Sequence, residues 1–254
     1  QKEKCTITTH KNLSVKIDYI SIVFETATAE DVIMHILGLP TDIFNVYPAT
    51  VKFKTYQIRW EIGDIYVSGD ARKTEDNPQG LGCYLVMTGR GCDDIFRILN
   101  SRNYTFGDMF RRCERRYGLD NFHFTRLDIA IDDKNEKPFF TIEQIKKKCE
   151  KEEFISNSEG YHFDESKFDD FDTAKTVYIG AGKSGLSYRF YDKVSSDTFW
   201  SPQTTHYNLQ LFQEKSTIAS QRHDHASFPA FYQLNAWLLI AANITSASIT
   251  FLSI

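Results

Sequence analysis

The sequence predicts an α+β fold, a largely antiparallel, twisted sheet with helices packed on one side. Three observations carry that expectation. Period-two runs recur at 15–24, 83–88 and 125–133, each with an apolar face. Segments with helical start and stop signals lie between them at 28–37, 93–99 and 105–117, in no regular βαβ alternation. A Gly/Ser-rich stretch joins strand-like runs at 176–179 and 186–193, which predicts a β-hairpin.

Val15 to Phe24 opens the chain's ordered pattern, with Asp18 on the same face as Ile20 and Ile22. A carboxylate among apolar neighbours is costly unless paired or metal-bound, so Asp18 is either an exposed strand start or an additional acid at a site. Thr28 is an N-cap for a helix that runs through Leu37 and is stopped by Gly38 and Pro40. Thr50 to Phe53, Tyr56 to Ile62 and Asp64 to Val67 read as a strand meander, and Cys83 to Thr88 as a buried strand. Gly89-Arg-Gly91 then turns into a helix from Asp93 to Leu99. Glycines there can cradle a phosphate, but a tight strand-to-helix turn needs them anyway.

Thr105 to Tyr117 reads as a helix carrying Arg111, Arg112, Arg115 and Arg116. Spacings of three and four put Arg112 with Arg115 or Arg116 on one stripe, which is either a DNA-backbone surface or a solvated face. Thr141 to Gln144 is a capping box for a Lys-rich helix. The acidic stretch 157–172 reads as a mobile surface loop.

The chemistry concentrates in two stretches. Thr125-Arg-Leu-Asp-Ile-Ala-Ile-Asp-Asp133 sets Leu127, Ile129 and Ile131 on one face, and Arg126, Asp128, Ala130 and Asp132 on the other. Asp128 and Asp132 lie roughly 13 Å apart on a regular strand, so one ion cannot bind both without a bulge or twist. Asp133 can fold back from the strand end. These acids are either simply hydrated or part of a site. In the second stretch, Ser187, Arg189, Tyr191 and Lys193 share one face, opposite Tyr188, Phe190 and Asp192. Cations flanking a tyrosine hold a phosphodiester and favour the phenolate, and tyrosine is a nucleophile for phosphoryl transfer.

Gly89-Arg-Gly-Cys92, the Asp-rich strand, Tyr178-Ile-Gly180 and Tyr188-Arg-Phe-Tyr-Asp-Lys193 occur in an order that resembles the replication initiation factor family over roughly residues 15–215. That family comprises rolling-circle initiators of small Gram-positive plasmids and the related MobT-class conjugative relaxases. The resemblance implies a relaxase-like or rolling-circle-initiator-like fold and a single catalytic nicking domain over 1–254. It also implies origin-specific single-strand nicking and rejoining through a 5′-phosphotyrosyl link. Tyr191 is then the nucleophile, and Tyr188, facing away from Arg189 and Lys193, is its rival. Mg²⁺ or Mn²⁺ would be held by Asp128 with Asp132 or Asp133. Arg189, Lys193 and Arg126 would clamp the backbone. Single-stranded or supercoiled origin DNA is the implied substrate. A helicase or accessory mobilisation proteins are the implied partners, and the bacterial cytoplasm is the compartment.

The pattern departs from the family where an Arg-x-Glu strand is expected and His206-Tyr-Asn208 stands instead. Loss of that acid motivates the alternative, a non-catalytic DNA-binding or recruitment module descended from such a nickase. A metal-dependent nuclease that uses water is a third reading.

The remaining features bound the answer. The 254 residues, 41% hydrophobic and 25% charged, suffice for a sizeable core, and the net charge of −4 confines any DNA contact to local basic patches. Five scattered cysteines with no C-x-x-C pair argue against a zinc site or disulfide framework. Gly180-Ala-Gly-Lys-Ser184 lacks the leading glycine of an ATP-binding loop, since Val177 stands there. His223-Asp-His225 has metal-ligand spacing but lies in a polar run. Residues 229–254 are apolar yet broken by Gln233, Asn235 and Asn243 before a membrane span is complete. The stretch 216–254 matches the family poorly. Gln1 as first residue suggests a piece of a longer product, with a further DNA-binding segment absent.

Overall fold

The computed structural model describes residues 13–49, 55–75, 77–135, 138, 140–153, 160–168, 172–180, 186–193 and 204–212. Side chains are described for all of these except 166–168, 172–174, 186, 192–193 and 204–212. The Gly180–Ser184 loop beyond Gly180, the His223 pair and the apolar stretch 229–254 therefore lie outside the described residues, as does the strand expected at 50–53. The chain divides into two compact units, Ile17–Asp128 and, among the described residues, Ile129–Phe212 with the segment up to Lys16.

The first unit holds strands β1 (Leu13–Phe24), β2 (Asn45–Pro48), β3 (Tyr56–Ile62), β4 (Ile65–Ala71), β5 (Cys83–Met87) and the start of β6 (Phe122–Asp133), in the order β2-β3-β4-β5-β1-β6. Each ladder from β2 to β1 is antiparallel. The register places Val67 opposite Leu85 and Leu85 opposite Ile22, and all three are fully buried. That row is the floor of the core, and the helices lie over it. Helix α1 begins as Ala29–Asp31, N-capped by Thr28, and continues π-wound through Val32–Leu37 to left-handed Gly38. Its close seat on β4 needs Gly69, where a Cβ would come within 2.7 Å of Ala29 Cβ. Helix α3 (Phe106–Tyr117) starts at a full capping box between Thr105 and Asp108 and buries Met109, Phe110 and Cys113. Phe110 meets Phe124 edge-on at 5.0 Å.

Helix α2 (Gly89–Ser101) begins four residues before the expected Asp93, so the Gly-Arg-Gly segment is its first turn rather than a loop before it. Gly91 is there because a Cβ would sit 2.4 Å from Asp64 O. An ideal Cβ on Gly89 would lie 3.3 Å from Asp18 Oδ1. A carboxylate thus occupies the helix start where a phosphate cradle would have held its ligand.

The second unit has the order β6-β10-β9-β8-β7, with β7 (Tyr161–Phe168), β8 (Asp172–Ile179), β9 (Leu186–Lys193) and β10 (Thr204–Phe212) joined by antiparallel ladders. Helix α4 (Ile142–Glu150), opened by the Thr141–Gln144 capping box, packs Ile142, Ile145 and Cys149 on Val177 and Ile179. Two expectations are corrected. The stretch read as a mobile loop at 157–172 contains β7, an edge strand whose outer ladder needs no apolar partner, so its acids are tolerated. The Asp-rich strand and the tyrosine hairpin, expected from the sequence to lie side by side in the sheet, are not neighbours, because β10 pairs with β9 and lies between β9 and β6.

Cys83, Cys92, Cys113 and Cys149 are buried free thiols, and burial pushes Cys113 up to about 12. Among the described residues no helix is long and apolar enough to cross a membrane.

Candidate functional site

On β9 the alternation sorts two tyrosines into different environments. Tyr188 stacks on Phe190 at 6.5 Å, and both pack against the α4 cluster. Burial raises the Tyr188 phenol above its ordinary value. Arg189 and Tyr191 take the other face. The hairpin register sets Tyr178 opposite Arg189 and Thr176 opposite Tyr191. The Arg189 guanidinium lies 4.6 Å from the Tyr191 ring centre and 5.4 Å from that of Tyr178. Its Nε is buried with no hydrogen-bond partner among the described residues. Across the ladder, His162 brings its ring 6.2 Å from Tyr178. Tyr178 and His162 were not assigned a role from sequence. The signal was present for Tyr178, because counting outward from the hairpin turn pairs 178 with 189.

The departure from the family pattern falls in the same rows. β10 places His206 opposite Tyr191 and Asn208 opposite Arg189. Lys193 ends β9, opposite Thr204, and its side chain lies outside the described set.

The acids of β6 are buried, not hydrated. Asp132 is 7% exposed and Asp133 0%. Asp133 stays in the strand and accepts from Asn135 N at 3.1 Å and Asn135 Nδ2 at 2.6 Å. As consecutive strand residues, Asp132 and Asp133 project to opposite faces. With β10 intervening, β6 and β9 backbones are separated by two strand spacings, about 10 Å. Among the described residues no group of three or more His, Cys, Asp or Glu side chains is assembled to hold a metal ion.

In the first unit, Asp128 is 2% exposed and held by Arg126, whose Nε and a terminal nitrogen donate to its two oxygens at 2.8 and 2.6 Å. This fork raises the Arg126 guanidinium, chiefly through the hydrogen bonds to Asp128. The same guanidinium lies 4.1 Å over the Tyr19 ring, whose phenol is raised first of all by burial. Asp128 and Arg126 therefore form a desolvated pair.

The α3 arginines divide. Arg111 bonds Asp108 at 2.6 Å. Arg116 donates to Asp31 through Nε at 2.7 Å and through a second nitrogen, and Tyr117 Oη donates to the same carboxylate. Arg112 lies 4.9 Å from the Tyr104 ring centre, and Arg115 bonds only the Arg111 carbonyl among its described contacts. Arg112, Arg115 and Arg116 line one open concavity with His35.

Two family models match in tandem. "Rolling Circle replication initiation protein N-terminal domain" covers 14–112 and "Replication initiation factor" covers 122–219, leaving only the ends and 113–121 unmatched. The chain belongs to the rolling-circle replication initiator and relaxase family. It is 32% identical over 179 residues to a Bacillus subtilis (strain 168) protein named "Putative DNA relaxase NicK". That match covers 70% of this chain and 47% of the relative, so the family member described here spans about half of that relative's length. Its fold is that of the rolling circle replication initiator protein from Geobacillus stearothermophilus, with a TM-score of 0.64 at 21% identity. The likeness covers 92% of this chain and 79% of that one. The α+β architecture expected for this family is thus the one present.

Proposed function

We propose that the chain nicks one DNA strand at an origin and rejoins it through Tyr191, to start rolling-circle replication or conjugative transfer, with its two units acting as one nicking domain. The observation that carries this is the placement of Tyr191 on the β9 face away from the α4 core, with the Arg189 cation 4.6 Å over its ring.

In the proposed reaction Tyr191 Oη attacks the phosphorus of a phosphodiester. An Oη–P bond forms as the P–O3′ bond breaks, the phenol proton passes to solvent, and the leaving oxygen takes up a proton to become a 3′-hydroxyl. The strand's 5′ phosphate stays on the tyrosine. Reversal reseals the strand, and the count of phosphoester bonds is the same before and after, so no ATP is consumed. Arg189 supplies planar N–H donors to the phosphoryl oxygens where charge develops. Lys193, two positions along the same strand, is assigned the second clamp.

Dependence on Mg²⁺ or Mn²⁺ belongs to the proposal as well, with Asp132 the ligand assigned. Asp128 is engaged by Arg126 and Asp133 by Asn135, so the described carboxylates alone make no three-ligand site. A cation bound there would neutralise phosphoryl charge.

The test is incubation with labelled single-stranded oligonucleotides tiled across a candidate origin, with Mn²⁺, followed by a denaturing gel. A protein–DNA band lost in Tyr191→Phe and kept in Tyr188→Phe is the expected result. Binding without any covalent band from the unaltered chain would instead identify a recruitment module, and cleavage without a band would identify a nuclease that uses water.

A further inference from the structure

The concavity at the π-wound end of α1 has a composition that the helices do not require. His35, Arg112, Arg115 and Arg116 line it, with a volume of about 330 Å³. Part of its charge has a structural task. Arg102 donates to Gly38 O at 2.9 Å and Arg112 to Ile36 O at 3.5 Å, which satisfies carbonyls left over at the end of α1. Arg116 is bonded to Asp31, and His35 Nε2 lies 3.7 Å from that same carboxylate. Arg115 has no such task. Among the described residues neither Arg112 nor Arg115 has a carboxylate partner, whereas Arg111 on the same helix is matched by Asp108. The walls thus carry three guanidiniums, and of these the Asp31 carboxylate bonds that of Arg116.

Two of the three guanidiniums, those of Arg112 and Arg115, converge without a matching acid among the described residues, in a protein whose net charge is −4. Like charges held together this way repel, and the repulsion is relieved by an anion that accepts from several N–H groups at once. Phosphate oxygens fit this planar, multi-donor wall better than a monodentate anion does.

We infer that His35, Arg112, Arg115 and Arg116 form a phosphate-binding site whose ligand is a backbone phosphate of duplex DNA. The assignment to DNA rests on the nicking function proposed above, and the assignment to phosphate does not. Such a contact grips the duplex without reading its sequence.

The test is the salt dependence of binding, by fluorescence anisotropy, of the full chain to a labelled 20-bp duplex of arbitrary sequence. Each phosphate neutralised contributes roughly 0.9 to the slope of log affinity against log salt. Arg115→Gln is expected to lower that slope by about 0.9, and Arg112→Gln with Arg115→Gln by about 1.8. Arg97→Gln is the control for loss of a surface charge elsewhere, since Arg97 is 74% exposed on α2 and, among the described residues, pairs with Asp94 of its own helix. Its slope is expected to equal that of the unaltered chain. Far-UV circular dichroism and melting confirm that each variant is folded, and Arg115→Gln removes no helix-capping bond should the double variant unfold.

A second arm titrates inorganic phosphate and follows ³¹P line width. Phosphate binding lost in Arg115→Gln with duplex slopes unchanged keeps the site but makes a free phosphate compound its ligand, overturning the duplex assignment. Unchanged slopes together with no phosphate binding, an adventitious cluster of charge, sink the inference entirely. A shifted slope with no covalent adduct in the gel assay would overturn the nicking function and leave this site standing.

Discussion

Three residues apart on β9, two tyrosines are given opposite surroundings. Tyr188 is packed beneath α4 with a phenol made harder to ionise by burial, and Tyr191 shares its face with Arg189. The period of two is enough to separate them, so this distinction was legible in the residues themselves. Arg189 adds both a charge and a planar donor fork. Arg189→Ala is expected to slow adduct formation by about 100-fold, in the range found for removal of one oxyanion donor, and Arg189→Lys, which keeps charge but not the fork, by less. Single-turnover rates with the labelled oligonucleotide check both. Asp31 gives a separate test at the same scale. Hydrogen bonding from Arg116, then from Tyr117, holds its carboxyl below the usual range. A group depressed in the folded state stabilises above its unfolded value, about pH 4, and loses that stabilisation as pH falls through the folded value. Urea unfolding followed from pH 6 downwards is expected to show a fall in stability that Asp31→Asn reduces, the remainder coming from Asp108 and Glu143, which are also held below the usual carboxylate range.

Among the elements, those specified by near neighbours were legible. The Thr141–Gln144 box starts α4 where it stands in the sequence, and α3 occupies Phe106–Tyr117 of the expected 105–117. β5 falls within the expected 83–88, and β6 extends the expected 125–133 by three residues at its start. What escaped was decided by distant partners. β7 carries acids that contradict a buried strand, and it is a strand only because β8 supplies its ladder at an exposed edge. The π-winding of Val32–Leu37 likewise has no local signature. Two substitutions separate local from tertiary control. Thr105→Ala removes the acceptor for Asp108 N and is expected to cost about 1 kcal/mol. Gly91→Ala forces a Cβ to within 2.4 Å of a backbone oxygen, which no side-chain rotation relieves, and is expected to cost more, about 2 kcal/mol or above. Chemical denaturation of the two variants ranks them, and a Gly91→Ala chain as stable as the parent would show that α2 can shift.

For the molecule as a whole, the proposed dependence on Mg²⁺ or Mn²⁺ is tested by chelation. If Asp132 contributes to a metal site, EDTA is expected to abolish cleavage while leaving duplex binding in place, with activity restored by excess Mn²⁺ and not by metal-free buffer. Gel and anisotropy measurements on one sample distinguish loss of chemistry from loss of DNA. Residue types, their period and their spacing determined by themselves the α+β class, the two chemically loaded strands, the capping boxes and the face on which Tyr191 lies, because each depends on chain neighbours within a few positions. Only the tertiary structure decided that β10 stands between the acid strand and the tyrosine strand. It likewise joined Asp31 to Arg116, 85 positions away. Those outcomes turn on which distant groups are desolvated together, and a buried charge takes the partner that packing brings to it.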